Sequence, residues 1–155
     1  MTRRTITNDS FVMERRYAAA PSRVFQAFAD RDTKAEWFGC EEGWEVTEYS
    51  MDFRVGGKEV WQLGPPGGTV HRNDTTYHEI VPNERLVWSY AMRLDDRCIS
   101  VSLASVELQP DGAGTLLTLT EHGMYLDGYD DGGDRERGTR EGLAKLDAYL
   151  QRSKA

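Results

Sequence analysis

The fold is decided by a stretch at the centre of the chain, residues 70–94, which read VHRNDTTYHEIVPNERLVWSYAMRL. Pro82-Asn83-Glu84 forms a turn, and the runs on both sides of it have the composition of strands. Alternate residues of the second run are large and apolar: Leu86, Trp88, Tyr90 and Met92. Because successive side chains of a strand point to opposite faces, these four share one face. The stretch therefore predicts an antiparallel hairpin with one aromatic face.

Further strands are predicted on both sides of this hairpin, because short runs of alternating residues are separated by turns rich in glycine and proline. The runs are Phe11–Tyr17, Glu45–Tyr49, Glu59–Leu63, Cys98–Leu108 and Thr115–Glu121. In Cys98–Leu108 the apolar residues change parity after Leu103. We therefore predict a β-bulge near Ala104–Ser105 that brings the apolar residues before and after it to one face.

Helices are predicted near the two ends of the chain. Pro21 suits the first turn of a helix, where its missing N–H is not needed, and Asp30–Phe38 reads as a second short helix. A long C-terminal helix is indicated by a stripe at helical spacing: Thr139, Leu143, Leu146 and Leu150. Glycines weaken the first half of this helix, by about 1 kcal/mol each relative to alanine. Tertiary packing must therefore hold that half in place.

This order of elements predicts one α+β domain over residues 1–155, with residues 1–10 as a loose N-terminal tail. One strand is followed by two short helices, about six more strands and the long helix. The antiparallel sheet of six to seven strands is expected to curve around that helix, since the chain offers glycines and a bulge where bending needs them. Small residues on the inner face of the helix should leave a hollow between it and the sheet.

Charge and composition exclude several classes of protein. The net charge of −7, from 19 basic and 26 acidic residues, argues against a nucleic-acid partner, which requires a basic surface. No apolar run approaches the ~20 residues of a membrane span, and residues 1–10 lack the apolar centre of a signal peptide. We therefore expect a cytoplasmic protein with no membrane partner, in which Cys40 and Cys98 are reduced.

Five segments, in order along the chain, carry a family resemblance: 17–25 (YAAAPSRVF), 37–39 (WFG), 52–57 (DFRVGG), 77–87 (YHEIVPNERLV) and 114–123 (GTLLTLTEHG). Together they resemble the START/Bet v 1-like superfamily, whose architecture is the helix-grip fold. More closely, they resemble its bacterial branch named after the activator of the ATPase of heat-shock protein 90. The resemblance implies a curved sheet gripping a helix. Many relatives place a tryptophan where this chain has Thr139, and the smaller side chain would enlarge or re-route the cavity.

The residues expected to line a ligand cavity are large side chains on the inner faces of the predicted strands, together with residues of the two flanking helices. They are Trp37, Phe53, Trp61, Tyr77, Trp88, Tyr90, Met92, Leu117, Thr139 and Leu143. Ligand pockets are mostly apolar and contain a few polar groups that fix orientation, as this set does. The alternative is that the same aromatic side chains simply fill the core.

Polar residues beside these apolar faces are candidates for orienting a ligand or transferring a proton: Arg15, His78, Glu79, Glu121 and His122. For each of them the alternative is a side chain that faces outward or forms a salt bridge. Tyr77 and His78 are adjacent in one strand, so both can face inward only if that strand contains a bulge.

Metal and cofactor chemistry is not indicated. Asp127, Asp130, Asp131 and Asp134 lack the spacing of a calcium loop and suit the start of a helix, whose dipole favours carboxylates. The three histidines and two cysteines have no zinc-ligand spacing. No nucleophile motif or phosphate-binding loop appears. We predict no catalytic residue, no metal and no cofactor.

Three functions fit these observations, and we favour a non-catalytic one. The leading hypothesis is a carrier or sensor whose partner is a small hydrophobic molecule. The second is a cyclase- or hydratase-like enzyme of the same superfamily, which would use an inward His or Glu together with a Tyr. The third is an interaction module related to chaperone ATPase activation. The sequence permits a homodimer, although no surface stripe argues for one.

Overall fold

A computed structural model describes residues 3–39, 42–129 and 132–153. Seven strands form one antiparallel sheet in the order β1-β7-β6-β5-β4-β3-β2. The strands are β1 (Ile6–Tyr17), β2 (Glu45–Met51), β3 (Lys58–Gly64), β4 (His71–Val81), β5 (Arg85–Leu94), β6 (Arg97–Asp111) and β7 (Gly114–Leu126). The helices are α1 (Pro21–Ala29), α2 (Arg31–Ala35) and α3 (Gly132–Arg152). The predicted helix-grip arrangement is confirmed: a curved sheet, two short helices after the first strand and one long C-terminal helix.

The central hairpin, β4 and β5, has the predicted turn. Asn83 adopts a φ of 68°, a left-handed conformation that asparagine tolerates better than most residues. The register of β4 against β5 shifts between Tyr77 and Glu79, which leaves His78 as the extra residue of a β-bulge. Tyr77 is buried and His78 is exposed. Of these two adjacent residues, Tyr77 is therefore the one that faces the interior.

The predicted bulge near Ala104–Ser105 is wrong, because the pairing of β6 with both neighbours is continuous there. Ser100, Ser102 and Ala104 face inward together with the apolar residues that follow them in β6. Val101 and Leu103 face outward and are 46% and 47% exposed. The alternation of apolar residues was misleading because the inward positions in the first half of β6 carry small, mostly polar side chains. The register shift lies instead between Met92 and Arg93 of β5.

The prediction of a loose tail over residues 1–10 is wrong for residues 6–10. These residues belong to β1, which pairs with β7 from Ile6↔Leu126 to Tyr17↔Thr115. The side chains of residues 6–10 are all exposed, so the segment has no apolar pattern by which a strand could be recognised. Its order comes from backbone hydrogen bonds to a long neighbouring strand.

The two short helices carry aromatic residues to one end of the sheet. Pro21 occupies the first turn of α1, as predicted. The second helix is shorter than predicted and ends at Ala35. Its N-terminus is capped by the Asp30 carboxylate, which accepts a 2.9 Å hydrogen bond from the Thr33 backbone N–H. Trp37 follows α2 and is fixed by a 2.9 Å hydrogen bond from its Nε1 to the Ala27 carbonyl oxygen.

The long helix α3 packs on the sheet through its second half. Leu143, Leu146 and Leu150 are each no more than 4% exposed and join the core formed with α1 and the inner faces of β1, β6 and β7. The Tyr17 hydroxyl donates a 3.0 Å hydrogen bond to the Leu143 carbonyl oxygen. Within the described ranges, no helix has the length and apolar composition needed to cross a membrane.

Candidate ligand-binding cavity

A cavity of about 600 Å³ lies between the concave face of the sheet and the first half of α3. Its apolar wall is formed by side chains from the helices and the central strands: Phe28, Trp37, Phe38, Trp61, Leu86, Trp88, Met92, Leu94, Ile99, Leu119 and Leu143. Ligand pockets of proteins commonly measure ~300–1,000 Å³ and are mostly apolar. The size and lining of this cavity are therefore those of a site for a small molecule.

Most of the residues predicted to line a cavity do line this one: Trp37, Trp61, Tyr77, Trp88, Tyr90, Met92, Thr139 and Leu143. Phe53 and Leu117 do not. Phe53 packs edge-to-face on Tyr77, with ring centroids 4.9 Å apart, and on Phe25 at 5.8 Å. Leu117 is fully buried in the hydrophobic core. Phe53 follows the end of β2 and packs on α1, and Leu117 packs in the core, so neither side chain lines the open space.

Part of the wall contributed by α3 is bare backbone, because Gly138 and Gly142 line the cavity one helical turn apart. A Cβ atom built at either position would meet nothing within 4 Å. Each glycine in a helix interior costs roughly 0.5–1 kcal/mol relative to alanine. Neither glycine is required by close packing, and the effect of both is to leave the cavity wider.

A polar group of residues, which we call the Arg135 cluster, joins α3 to β5, β6 and β7: Tyr90, Ser100, Ser102, Glu121 and Arg135. Of these, Tyr90, Glu121 and Arg135 line the cavity. Arg135 Nη1 donates to Tyr90 Oη at 3.0 Å and to Ser102 Oγ at 3.2 Å, and Nη2 donates to Ser100 Oγ at 2.7 Å. Tyr90 Oη donates to Glu121 Oε2 at 2.7 Å. Arg135 Nη1 lies 3.6 Å from Glu121 Oε2, so these two groups form an ion pair without a direct hydrogen bond.

The electrostatics of the Arg135 cluster follow from burial. Removal from water raises the pKa of Glu121 above its ordinary value, although the hydrogen bond from Tyr90 and the charge of Arg135 act in the opposite direction. Burial, together with the nearby Glu121 carboxylate, also raises the pKa of Tyr90. The Tyr90 hydroxyl therefore keeps its proton and serves as a donor to Glu121.

A second polar group of residues, the Glu59 cluster, lies on another part of the cavity wall: Lys34, Glu59, Trp61 and Tyr77. The Glu59 side chain is 1% exposed and lies 2.9 Å from Lys34 Nζ. Trp61 Nε1 donates to Glu59 Oε2 at 2.5 Å, and the Tyr77 hydroxyl donates to Glu59 Oε1. Burial and the Glu59 charge raise the pKa of Tyr77. Donors from α2, β3 and β4 thus converge on one carboxylate.

Of the five residues considered as candidates for orienting a ligand or transferring a proton, Glu121 alone lines the cavity. His78 is exposed and forms a 2.7 Å hydrogen bond with Ser89 Oγ, and His122 is exposed as well. Glu79 pairs with Arg85 at 2.5 Å on the outer surface, and Arg15 lies 3.9 Å from Asp147. The outward or ion-paired alternative therefore describes these four residues.

The structure adds three charged residues to the site that the sequence reading missed: Lys34, Glu59 and Arg135. A signal existed for Glu59, because it precedes Trp61 by two residues in β3 and must share its inward face. No comparable signal existed for Arg135, which lies in a segment rich in charge and glycine. The direction of the Arg135 side chain is set by the packing of α3 on the sheet.

No group of three or more metal-ligating side chains occurs in the described part of the chain. The Asp127 carboxylate accepts hydrogen bonds from Arg4, at 2.7 Å, and from the Thr5 backbone N–H, at 3.2 Å. Asp134 pairs with Arg137. Asp130 and Asp131 lie outside the described residues, as does Cys40. Cys98 is half-buried and carries a free thiol.

Several solved structures of bacterial proteins are similar to this chain. The chain is similar to an uncharacterized protein from Rhizobium leguminosarum, with 38% identity and a TM-score of 0.93 over 98% of this chain and 100% of that one. It is also similar to the Mll3558 protein from Rhizobium loti, with 44% identity and a TM-score of 0.88 over 94% and 99%. An AHSA1-like protein from Aeromonas hydrophila shares the fold, at 18% identity and a TM-score of 0.70 over 94% of each chain.

No curated protein is significantly similar to the chain in sequence. The profile of one family, described as activator of Hsp90 ATPase homolog 1-like protein, matches residues 18–151. This match extends from the end of β1 almost to the end of α3, and it includes every element that contributes to the cavity. The protein therefore belongs to the family of activator of Hsp90 ATPase homolog 1-like proteins, within the START/Bet v 1-like superfamily that its sequence resembles.

Proposed function

We propose that the protein binds a small, mostly apolar molecule in the cavity between the concave face of the sheet and α3. The observation that carries this proposal is the cavity itself, about 600 Å³ in volume and walled by aromatic and aliphatic side chains. Protein interiors are packed about as densely as organic crystals, and voids larger than a water molecule are few. A space of this size beside an otherwise ordinary core is best explained by an occupant.

The composition of the wall supports an apolar body for the ligand. Trp37 reaches the cavity from the segment after α2, Trp61 from β3 and Trp88 from β5. Each such ring offers a large apolar area at a small cost in side-chain entropy. Contact with a ligand would remove this area from water, at about 25 cal/mol per Å² of apolar surface.

The glycines of α3 support the same proposal from the opposite wall. Gly138 and Gly142 weaken the helix, and space for a side chain is present at both positions. A chain with no use for the cavity would gain stability from alanine or leucine there. We infer that the bare helix backbone is a contact surface for the ligand.

The test uses an uncharged fluorescent probe, N-phenyl-1-naphthylamine, titrated into the purified full-length chain. We expect saturable binding to the wild type and at least tenfold weaker binding to Gly142→Leu, whose new side chain would occupy the cavity. The matched control is Glu141→Leu, which adds the same side chain one residue away on the exposed face of α3. It should bind the probe like the wild type.

Thermal unfolding separates a filled cavity from a damaged fold. Leucine has a helix propensity better than that of glycine by roughly 0.7 kcal/mol, so Gly142→Leu should melt no lower than the wild type. Absence of probe binding to the wild type, or undiminished binding to Gly142→Leu, would count decisively against the proposal. If the probe binds as expected, native mass spectrometry of freshly purified protein would identify a natural occupant.

A cytoplasmic location belongs to the same proposal. It is supported by the free, half-buried thiol of Cys98, which is the usual state of cysteine in a reducing compartment.

A further inference from the structure

We propose that the ligand is an uncharged amphipathic molecule, with an apolar body and one polar group that both donates and accepts a hydrogen bond at the Arg135 cluster. A hydroxyl and a carboxamide have this property. The inference rests on the proposed function, since it names the chemical class of the molecule that the cavity would hold. It is carried by the position, the charge balance and the hydrogen bonding of the cluster.

The position of the Arg135 cluster supports this inference. On the concave face Tyr90 is paired with Ser102, and Ala104 is paired with both Trp88 and Glu121. The Arg135 side chain meets this floor from α3, where it is 17% exposed. The polar atoms of the Arg135 cluster are therefore gathered in one place, beside the apolar surface of Trp88. A ligand fits this arrangement when one polar group is attached to an apolar body.

The charged side chains of the cavity wall are paired with one another. Arg135 lies 3.6 Å from the Glu121 carboxylate, and Lys34 lies 2.9 Å from the Glu59 carboxylate. Asp134, at the rim, is paired with Arg137. In the described lining, the charges of these side chains therefore cancel in pairs. An ionised ligand would meet no opposite charge that is not already engaged by another side chain. Burying an unpaired charge costs far more than burying a neutral polar group.

The Arg135 cluster has unused capacity for hydrogen bonds. Arg135 offers more N–H groups than its three bonds to Tyr90, Ser100 and Ser102 use. Glu121 is an acceptor, with lone pairs beyond the one that Tyr90 engages. A hydrocarbon in the cavity would displace water from these atoms without replacing its hydrogen bonds. This loss would lower the affinity about tenfold or more. A hydroxyl can accept from Arg135 and donate to Glu121.

The experiment compares four probes on one skeleton, titrated calorimetrically into the full-length wild-type protein at about pH 8. They are 2-naphthalenemethanol, naphthalene, 2-naphthoate and 2-naphthalenemethylammonium, of which the last two are ionised at this pH. We expect the alcohol to bind at least about tenfold more tightly than each of the other three.

A charge variant tests the balance directly. Glu121→Gln keeps the shape of the side chain and leaves the Arg135 charge without its partner. We expect the ratio of naphthoate affinity to alcohol affinity to rise at least tenfold over the wild-type ratio. The control, Glu141→Gln, makes the same change on the exposed face of α3 and should leave the ratio unaltered. If Glu121→Gln does not fold, the wild-type series alone decides.

Three outcomes would contradict the inference that the ligand is uncharged and amphipathic. Equal or tighter binding of naphthoate or of the ammonium probe would overturn the inference in favour of an ionised ligand. Equal binding of naphthalene and the alcohol would overturn it by showing that the cluster serves structure alone. In both cases the proposed function survives, because the cavity has been filled. It also survives, and this inference fails alone, if N-phenyl-1-naphthylamine binds and none of the four probes does.

Discussion

Glu59 and Glu121 are both buried carboxylates on the concave face of one sheet, yet their surroundings differ. Glu59 is 1% exposed, and side chains from α2, β3 and β4 converge on it. Glu121 has a tyrosine as its close donor, and its cation, Arg135, stays 3.6 Å away and partly open to the cavity. The comparison indicates that the Glu59 cluster fastens α2 to the sheet, whereas the Arg135 cluster keeps polar atoms available to the cavity.

The largest expected effect distinguishes the two carboxylates by stability. Glu59→Ala leaves the Lys34 ammonium, which is 12% exposed, without a counter-charge. We expect a loss of about 3–5 kcal/mol in the free energy of unfolding. Glu121→Ala should cost less, about 1–3 kcal/mol, because cavity water can solvate Arg135. Urea denaturation with unchanged m-values measures both. A Glu121→Ala variant at least as destabilised as Glu59→Ala would remove the distinction.

The two tyrosines sharpen the comparison with a smaller effect. Tyr77→Phe removes a donor from a carboxylate enclosed by protein, and we expect it to cost about 1–3 kcal/mol. Tyr90→Phe removes a donor that a water molecule in the cavity can replace, so it should cost less than about 1 kcal/mol. Both substitutions delete one hydroxyl and nothing else, which makes each the control for the other. Equal losses would mean that both clusters are equally closed to water.

The smallest expected effect is a pH dependence assigned to Glu121. Burial raises the pKa of Glu121 in the folded state above the ordinary value of 4.5, so the folded protein holds this proton more tightly than the unfolded chain. The stability it contributes is present below about pH 4.5 and is lost as the pH rises through the folded pKa. Glu121→Gln should therefore gain stability relative to the wild type over this range, by less than about 1.4 kcal/mol per pH unit.

Denaturation of both proteins at several pH values between about 4.5 and 7 measures this difference. A difference that is constant, or that changes in the opposite direction, would contradict the assignment. Glu59→Gln is the comparison variant, since it makes the same chemical change in the Glu59 cluster.

The sequence predicted the fold wherever burial alternates between large apolar and small or polar side chains. In β5 the residues Trp88 and Tyr90 mark the inner face without ambiguity. In β6 the same reasoning failed, because Ser100 and Ser102 face inward and Val101 faces outward. Where the inner face of a strand contributes to a polar cluster, its residues show the polar pattern that is typical of an outer face. The error in β6 therefore coincides with the site.

The apolar part of the site was predictable, and most of its polar part was not. Large residues such as Trp61 and Met92 line the cavity because strand parity directs them there. Lys34 and Arg135 lie on helices, and their side chains reach the sheet only because of how those helices pack. A single sequence contains no direct signal for such tertiary placement, and long charged side chains usually remain in solvent.

The ladder between β1 and β7 has a consequence for how the molecule forms. It joins Ile6 to Leu126 and Tyr17 to Thr115, so the first strand pairs with the last. Contacts between residues so distant in sequence slow the search for the native state. During synthesis, β1 has no partner until β7 has emerged from the ribosome. We therefore expect the pairing of β1 to complete the sheet late, in a slow folding step, which stopped-flow refolding followed by tryptophan fluorescence would detect.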